Sequence, residues 1–550
     1  MDMPRLTYIH GILKAIKPQP HMRIQQRSLR LLAILAVAGT ALSPTPPAPR
    51  PDPRPNIIYI MADDLGFSDI GCYGGEVRTP NLDALAAGGM KLRTFYNNAR
   101  CCPTRASLLT GRYPHEAGIG HMVTLANAKY EPGPYQGFLD PRFPTVAEEL
   151  RKAGYGTYMS GKWHVGERRE HWPRKRGFDR YFGLISGASS FYEITPAERS
   201  KRFYALDDAD YEIPKEGYYA TDAFTDQAIG FLKQHRQQRP GKPFFLYLAY
   251  TAPHFPLHAL ETDIVKYEKH YEAGWDSIRA VRYRNQQRIG YADGRYRLTP
   301  RTPGIPDWAG QADKAQWVRR MAVYAAMTDR MDQNIGRLVA ALKADGSYQN
   351  TLIVFLSDNG GCAETVGTEG RHDPSKRIGE KGSYSALEEP WANASNTPFR
   401  MYKHYMHEGG IASPCILHWP ARIKARKGFT DGIGHVMDLM PTALDLAGAT
   451  PPQLPGRSLS YLWSRKPDVD RGYRWEHEGN KAIREGRWKL VRDHDDAGWQ
   501  LYDMKADPTE MHDLAATDTA RTNRMLQAYL AWEREVGVRP FKGKRYGMEK

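Results

Sequence analysis

Three stretches of this chain are apolar almost without interruption, and each runs straight into polar residues. Asn56 to Met61 leads into Ala62-Asp63-Asp64-Leu65-Gly66. Pro243 to Tyr250 leads into Thr251-Ala252-Pro253-His254. Asn350 to Leu356 leads into Ser357-Asp358-Asn359-Gly360-Gly361. Short apolar runs without polar alternation suit strands covered on both faces, as in a sheet sandwiched by helices. In open α/β sheets, ligands bind beyond the carboxyl ends of the strands. Asp63, Asp64, His254, Asp358 and Asn359 all fall at such ends. Adjacent carboxylates repel one another, so a cation is a natural partner for Asp63-Asp64. Taken alone, the same pair also serves as a turn or a helix cap, and His254 as a turn histidine between prolines.

The rest of the chain fits the same class. Helical spacing is found over 80–89, 145–154, 222–235, 317–345 and 434–448, and further strands over 91–97, 155–160 and 413–419. Residues 258–314 read as an irregular insertion and 362–400 as surface loops. From about 455 the character changes. Short antiparallel strands are predicted at 481–484, 488–491 and 500–503, followed by a helix over 521–536. The expected fold is α/β: a large mixed β-sheet sandwiched by helices over 56–454, with a smaller antiparallel sheet-plus-helix subdomain over 455–550.

The N-terminus reads differently. Arg23, Arg27 and Arg30 precede an apolar run from Leu31 to Leu42, with small residues at Gly39-Thr40-Ala41. This is the pattern of a secretory signal and predicts export, to the periplasm or medium. Residues 1–42 are thus a signal with an upstream extension, Met22 being an alternative start, and 43–55 a proline-rich linker. The apolar run is too short to span a membrane. The formal net charge of the 550 residues is +15. No nucleic-acid motif accompanies it, so the excess reads as a solvated basic surface. Five cysteines in so long a chain make no disulfide framework.

Two of those cysteines are adjacent, in Asn98-Ala99-Arg100-Cys101-Cys102-Pro103-Thr104-Arg105-Ala106-Ser107-Leu108-Leu109-Thr110-Gly111-Arg112. Pro103 suits a first helical turn, where its missing N–H is not needed. That places both cysteines just ahead of a helix N-terminus, where free N–H groups and the helix dipole favour negative charge. Arg105 adds a full positive charge. On their own, vicinal cysteines are also compatible with two buried small apolar side chains.

Cys101-x-Pro103-x-Arg105 with Leu109-Thr110-Gly111-Arg112 resembles the type I sulfatase motif, within the alkaline phosphatase superfamily. Gly161-Lys162-Trp163-His164-Val165-Gly166 resembles a further sulfatase segment, its Lys162 and His164 expected to alternate along extended backbone. Lys403, five residues before Glu408-Gly409-Gly410, resembles the family's lysine motif. The resemblance covers nearly the whole chain after the linker. It departs mildly at Thr104, where serine is common.

The resemblance implies a sulfuric ester hydrolase, arylsulfatase-like, in which Cys101 is oxidised to formylglycine by a maturation enzyme. It implies a divalent metal on Asp63, Asp64, Asp358, Asn359 and the modified Cys101. Hard oxygen ligands favour Ca2+, with Mg2+ second. Arg105, Lys162 and Lys403 would hold charge on the sulfate oxygens. His254 would protonate the leaving oxygen, and His164 would take the proton that regenerates the aldehyde. The substrate would be an aryl or carbohydrate sulfate. Two other readings stand beside this one. The first is a phosphodiesterase or phosphonate monoester hydrolase on the same fold. The second is an exported protein that binds sulfated glycans with Cys101 unmodified.

Overall fold

The computed structural model describes residues 52–123, 132–195, 198–368, 370–464, 471–494 and 498–542. The expected signal, 22–43, lies outside them. Ten strands form one sheet: β1 (Asn56–Ala62), β2 (Met90–Tyr96), β3 (Gly156–Gly161), β4 (Arg180–Leu184), β5 (Tyr204–Leu206), β6 (Ala209–Asp210), β7 (Phe244–Ala249), β8 (Thr351–Ser357), β9 (Cys415–His418) and β10 (Phe429–His435). Their order is β10-β2-β9-β8-β1-β7-β3-β4-β5-β6. The central run β8-β1-β7-β3-β4 is parallel, β9 is antiparallel to both of its neighbours, and β5 and β6 close one edge antiparallel.

β1 shows why its sequence is apolar throughout. Ile58 and Ile60 face one core, with Phe224 of the helix Ala220–Gln238 and Tyr324 and Met327 of the helix Lys314–Ala344. Ile57, Tyr59 and Met61 face the other, with Leu108, Leu109, Val146, Leu150 and Leu444. Both side-chain rows of the strand are removed from water, each large residue contributing roughly 1.5–3 kcal/mol. Strand register sets where the chain leaves the sheet. Met61 is opposite Ala249 of β7, and Ala62 is opposite Ser357 of β8. Asp63-Asp64 and Asp358-Asn359 therefore emerge side by side.

The smaller unit is an antiparallel meander, β11 (Tyr473–His477), β12 (Asn480–Glu485), β13 (Trp488–Arg492) and β14 (Gln500–Asp503), with a helix over Thr519–Glu535. Met525, Tyr529 and Trp532 of that helix pack on Ile483, Leu490 and Leu501. Tyr473 and Trp475 pack against Tyr96 and Ala99, and the Trp475 indole N–H donates to the Asn97 carbonyl at 2.9 Å. β11 thus braces the segment between β2 and Cys101.

The structure corrects several local expectations. Residues 258–314 contain the helices Glu261–Ile264, Glu268–Tyr271 and Gly274–Arg288, and 362–400 contains the buried helix Glu388–Ser395. The helix expected from Gly434 begins only at Leu439, because residues up to His435 pair with β2 as strand β10. All five cysteines are free thiols. No helix among the described residues is long and apolar enough to cross a membrane.

Candidate active site

The ends of β1 and β8 supply the oxygens. The Asp64 backbone N–H donates to Asp358 Oδ1 at 3.2 Å, and the Asn359 amide donates to Asp64 Oδ1 at 2.6 Å. Asp63, Asp64, Asp358 and Asn359 are all buried. Two oxygens in this group, Asp63 Oδ1 and Asn359 Oδ1, have no hydrogen-bond partner. Buried polar atoms are almost always paired, so these two are orphans that a hard cation would satisfy. The donor set fits such a metal.

Three cations surround the carboxylates. Lys162 Nζ lies 2.6 Å from Asp63 Oδ2, and Lys403 Nζ lies 2.9 Å from the Asp64 carboxylate. Arg105 Nη2 is 2.9 Å from Asp358 Oδ2 and 3.4 Å from Asp63 Oδ2. Its Nη1 donates to the Lys162 carbonyl at 2.9 Å and to the Tyr247 hydroxyl at 3.4 Å. Burial and the neighbouring Asp358 charge push the Asp63 carboxyl above the usual range. Burial would raise Asp64 too, but His254 and Lys403 outweigh it and hold Asp64 low. His254 Nε2 stands 3.5 Å from Asp64 Oδ2, and burial lowers the pKa of its ring.

The cysteine pair lies in the first turn of the helix Cys101–Thr110, not ahead of it. Arg100, with extended backbone, is the N-cap, and Pro103 is the third helical residue. Cys101 Sγ is 3.4 Å from His164 Nδ1. The Val123 carbonyl accepts from His164 Nε2 at 3.1 Å, which fixes the proton there and leaves Nδ1 as the lone pair facing the sulfur. Burial pushes His164 down to about 4. Burial works against a Cys101 thiolate. The Cys102 hydrogen bond, Lys162 and His164 nonetheless hold its pKa well below the ordinary thiol value. Met122 Sδ lies 4.0 Å from Cys101 Sγ, so the thiol is covered.

Lys162 and His164 both enter this site, but not from one extended strand. Gly161 has φ 115° and His164 φ 56°, so the backbone turns twice between β3 and the histidine. At Gly161 a Cβ would stand 1.9 Å from the Ala249 carbonyl oxygen, which only glycine avoids.

All the residues singled out from the sequence thus converge. Those missed are contributors from a distance. Tyr247 lies in β7, Thr104 Oγ1 donates to the Asp358 carbonyl at 2.7 Å, and Glu364 lies 3.8 Å from Lys403 Nζ. A tyrosine inside a buried apolar strand was the one signal available for Tyr247.

Comparison with known proteins points the same way. The family model described as Sulfatase matches residues 55–449, most of the chain. The chain belongs to the sulfatase family. A second model, N-sulphoglucosamine sulphohydrolase, C-terminal, matches residues 399–535. Similar sulfatases include an uncharacterized one from Schizosaccharomyces pombe, 32% identical over 529 residues, spanning 88% of this chain and 94% of that one. The arylsulfatase of Klebsiella aerogenes is 33% identical over 413 residues, 72% of this chain and 88% of that enzyme. Among solved structures, Ps i-CgsB superposes with a TM-score of 0.64 at 28% identity, covering 87% of this chain and 92% of the other. It has also been crystallised with k-i-k-neocarrahexaose. This sulfatase is a sulfuric ester hydrolase, and the sulfate-ester reading prevails over the phosphate-ester and binding-protein alternatives.

Proposed function

We propose that Cys101, oxidised to formylglycine, carries the nucleophile, and that Asp63, Asp64, Asp358 and Asn359 hold Ca2+, or Mg2+ as second choice, beside it. The observation that carries this reading is the pair of orphaned buried oxygens, Asp63 Oδ1 and Asn359 Oδ1, at the ends of adjacent parallel strands. When bound, the metal would polarise a sulfate oxygen and ease ionisation of a hydroxyl supplied by the oxidised Cys101 side chain.

The chain's own groups divide the remaining work. In the structure Cys101 Sγ stands where an oxygen of the oxidised side chain would be. His164 Nδ1, neutral and 3.4 Å away, is placed to accept a proton from that position. His254 holds its Nδ1 proton on the Phe255 carbonyl at 2.6 Å, so Nε2 is the atom that faces the site. Once Nε2 is protonated as well, the form that the neighbouring Asp64 and Asp63 charges favour against burial, it is suited to donate that proton to a leaving oxygen. Lys162 and Lys403 place two charges where sulfate oxygens would lie, and their present partners are the carboxylates a metal would neutralise. Arg105 braces Asp63 and Asp358 and adds a third positive charge beside them.

The substrate in this reading is an aryl or carbohydrate sulfate. An arylsulfatase relative and a structural neighbour solved with an oligosaccharide support that pair of classes. Export through segment 22–43 and oxidation of Cys101 by a maturation enzyme complete the proposal. Its support is the basic-then-apolar pattern and the cysteine motif.

The test is the mass of the Cys101 peptide from protein made in its native host, with elemental analysis of the same sample. A loss of about 18 Da relative to the thiol and one Ca2+ or Mg2+ per chain are expected. An intact thiol in fully active enzyme would overturn the assignment of the nucleophile.

A further inference from the structure

The helix Gly274–Arg288 buries two arginines in different company. Arg282 lies between two acids, 2.5 Å from Asp69 and 2.7 Å from Glu76. Arg279, one turn earlier, is 4% exposed, and no carboxylate among the described residues forms an ion pair with it. Its Nη2 donates to Thr299 Oγ1 at 3.0 Å, and its Nε is buried with no partner. We propose that a chloride ion sits on the free edge of the Arg279 guanidinium, at Nε.

The charges around Arg279 leave one positive charge over. Arginine keeps its proton in a protein at neutral pH, so a buried guanidinium needs an anion or a full set of hydrogen bonds. Arg279 has five N–H groups and one hydrogen bond. Its charged neighbours are Asp276 and Arg301. Asp276 is already engaged: Oδ1 is 2.8 Å from Arg301 Nη1, and Oδ2 accepts from the Trp308 backbone N–H at 3.1 Å. Two guanidiniums face one carboxylate. Burial, with the Arg301 charge added to it, pushes Arg279 down to about 10, and Asp276 does not make up the difference.

The same arithmetic selects the ligand. One monovalent anion cancels the excess, whereas a sulfate dianion would reverse it and bring oxygens that need further donors. A halide is spherical and accepts from whatever N–H groups are at hand. Arg301 and Asp276 are 34% and 38% exposed, so the buried charge lies beneath a surface pair and within reach of a small ion from water.

The position gives the ion a task. Thr299 donates to the Pro398 carbonyl twice, from its backbone N–H at 3.2 Å and from its hydroxyl at 3.0 Å. Pro398 stands five residues ahead of Lys403. An anion on Arg279 therefore helps fasten the helix Gly274–Arg288 to the segment that leads into the active site. This inference is independent of how Cys101 is modified.

The test uses bromide as the probe. Crystals of the full-length protein grown in chloride are transferred to bromide, and diffraction is recorded at the bromine absorption edge. A bromide peak in contact with Arg279 Nε is expected. The measurement is made on the unaltered protein, so it stands even if a variant fails to fold. In solution, raising chloride from about 1 to about 100 mM against gluconate at fixed ionic strength should raise the unfolding midpoint by about 2 °C. Arg279→Met keeps an apolar stem and removes the charge. It should lose that chloride response while being at least as stable as the parent at low chloride. A water molecule in place of the bromide, or an equal chloride response in Arg279→Met, would overturn the proposal.

Discussion

At Cys101 the difference between a thiol, a hydroxyl and an aldehyde hydrate is a difference in what can leave. A single hydroxyl can accept a sulfuryl group but has no second proton through which to expel it. Cys101→Ser is therefore expected to drop steady-state turnover by at least about 10³-fold, roughly 4 kcal/mol in barrier, and to gain the mass of one sulfuryl group after exposure to substrate. Cys101→Ala should be equally inactive and gain no mass. The residue is buried in a helix whose Cys102, Leu108 and Leu109 carry the packing, so thermal unfolding of both variants should stay close to that of the parent protein. Peptide mass spectrometry and stopped turnover assays read the two outcomes.

Elements position these groups through close backbone approach. Gly161→Ala would force a Cβ to within 1.9 Å of the Ala249 carbonyl while requiring φ 115° of an L-residue. The end of β3 must then part from β7, moving Lys162 with it. A loss of stability of about 2–4 kcal/mol and a fall in kcat are expected together, read by denaturant unfolding and rate assays. A second element-scale prediction concerns the helix Pro80–Ala87. Asp332, on the long helix Lys314–Ala344, accepts from the Asn81 and Leu82 backbone N–H groups at 3.1 and 2.8 Å. Burial nonetheless pushes its carboxyl up to about 6. A carboxyl raised above its unfolded value stabilises most below that value, and the benefit is lost as pH rises through the folded pKa. Between pH 4 and pH 7 the parent protein should lose about 2 kcal/mol relative to Asp332→Asn, measurable as a pH-dependent difference in unfolding midpoint. The same contrast explains what was legible beforehand. β1, β7 and β8 announce themselves because both of their faces are apolar, and the motif residues stand at their ends. The helix Gly274–Arg288 does not, because it buries Arg279, Arg282 and Gln286, which pair with Thr299, Asp69, Glu76 and backbone carbonyls far along the chain. β10 was hidden by its Gly and Asp residues, and its strand character comes from pairing with β2. Glu364 gained its place in the site only by long-range packing, for which local pattern carries no mark.

For the molecule as a whole, the joint between the two sheets is ionic as well as apolar. Lys489 of β13 lies 2.7 Å from both Glu408 and Glu510, all three buried. Lys489→Ala would leave two buried carboxylates without their cation, and a loss of about 3–5 kcal/mol is expected on urea unfolding. The same joint sets an order of events. Trp475 grips the Asn97 carbonyl just ahead of the cysteine helix, yet it is made long after Cys101. At about 5–20 residues per second, synthesis leaves an interval on the order of tens of seconds in which Cys101 exists but its bracing strand does not. Any protein that must reach that thiol finds it in the nascent chain rather than in the finished fold. If an enzyme oxidises Cys101 as proposed, folded chains that miss the interval should keep their thiol when later offered it, and the fraction of active molecules would then record a race between translation and modification.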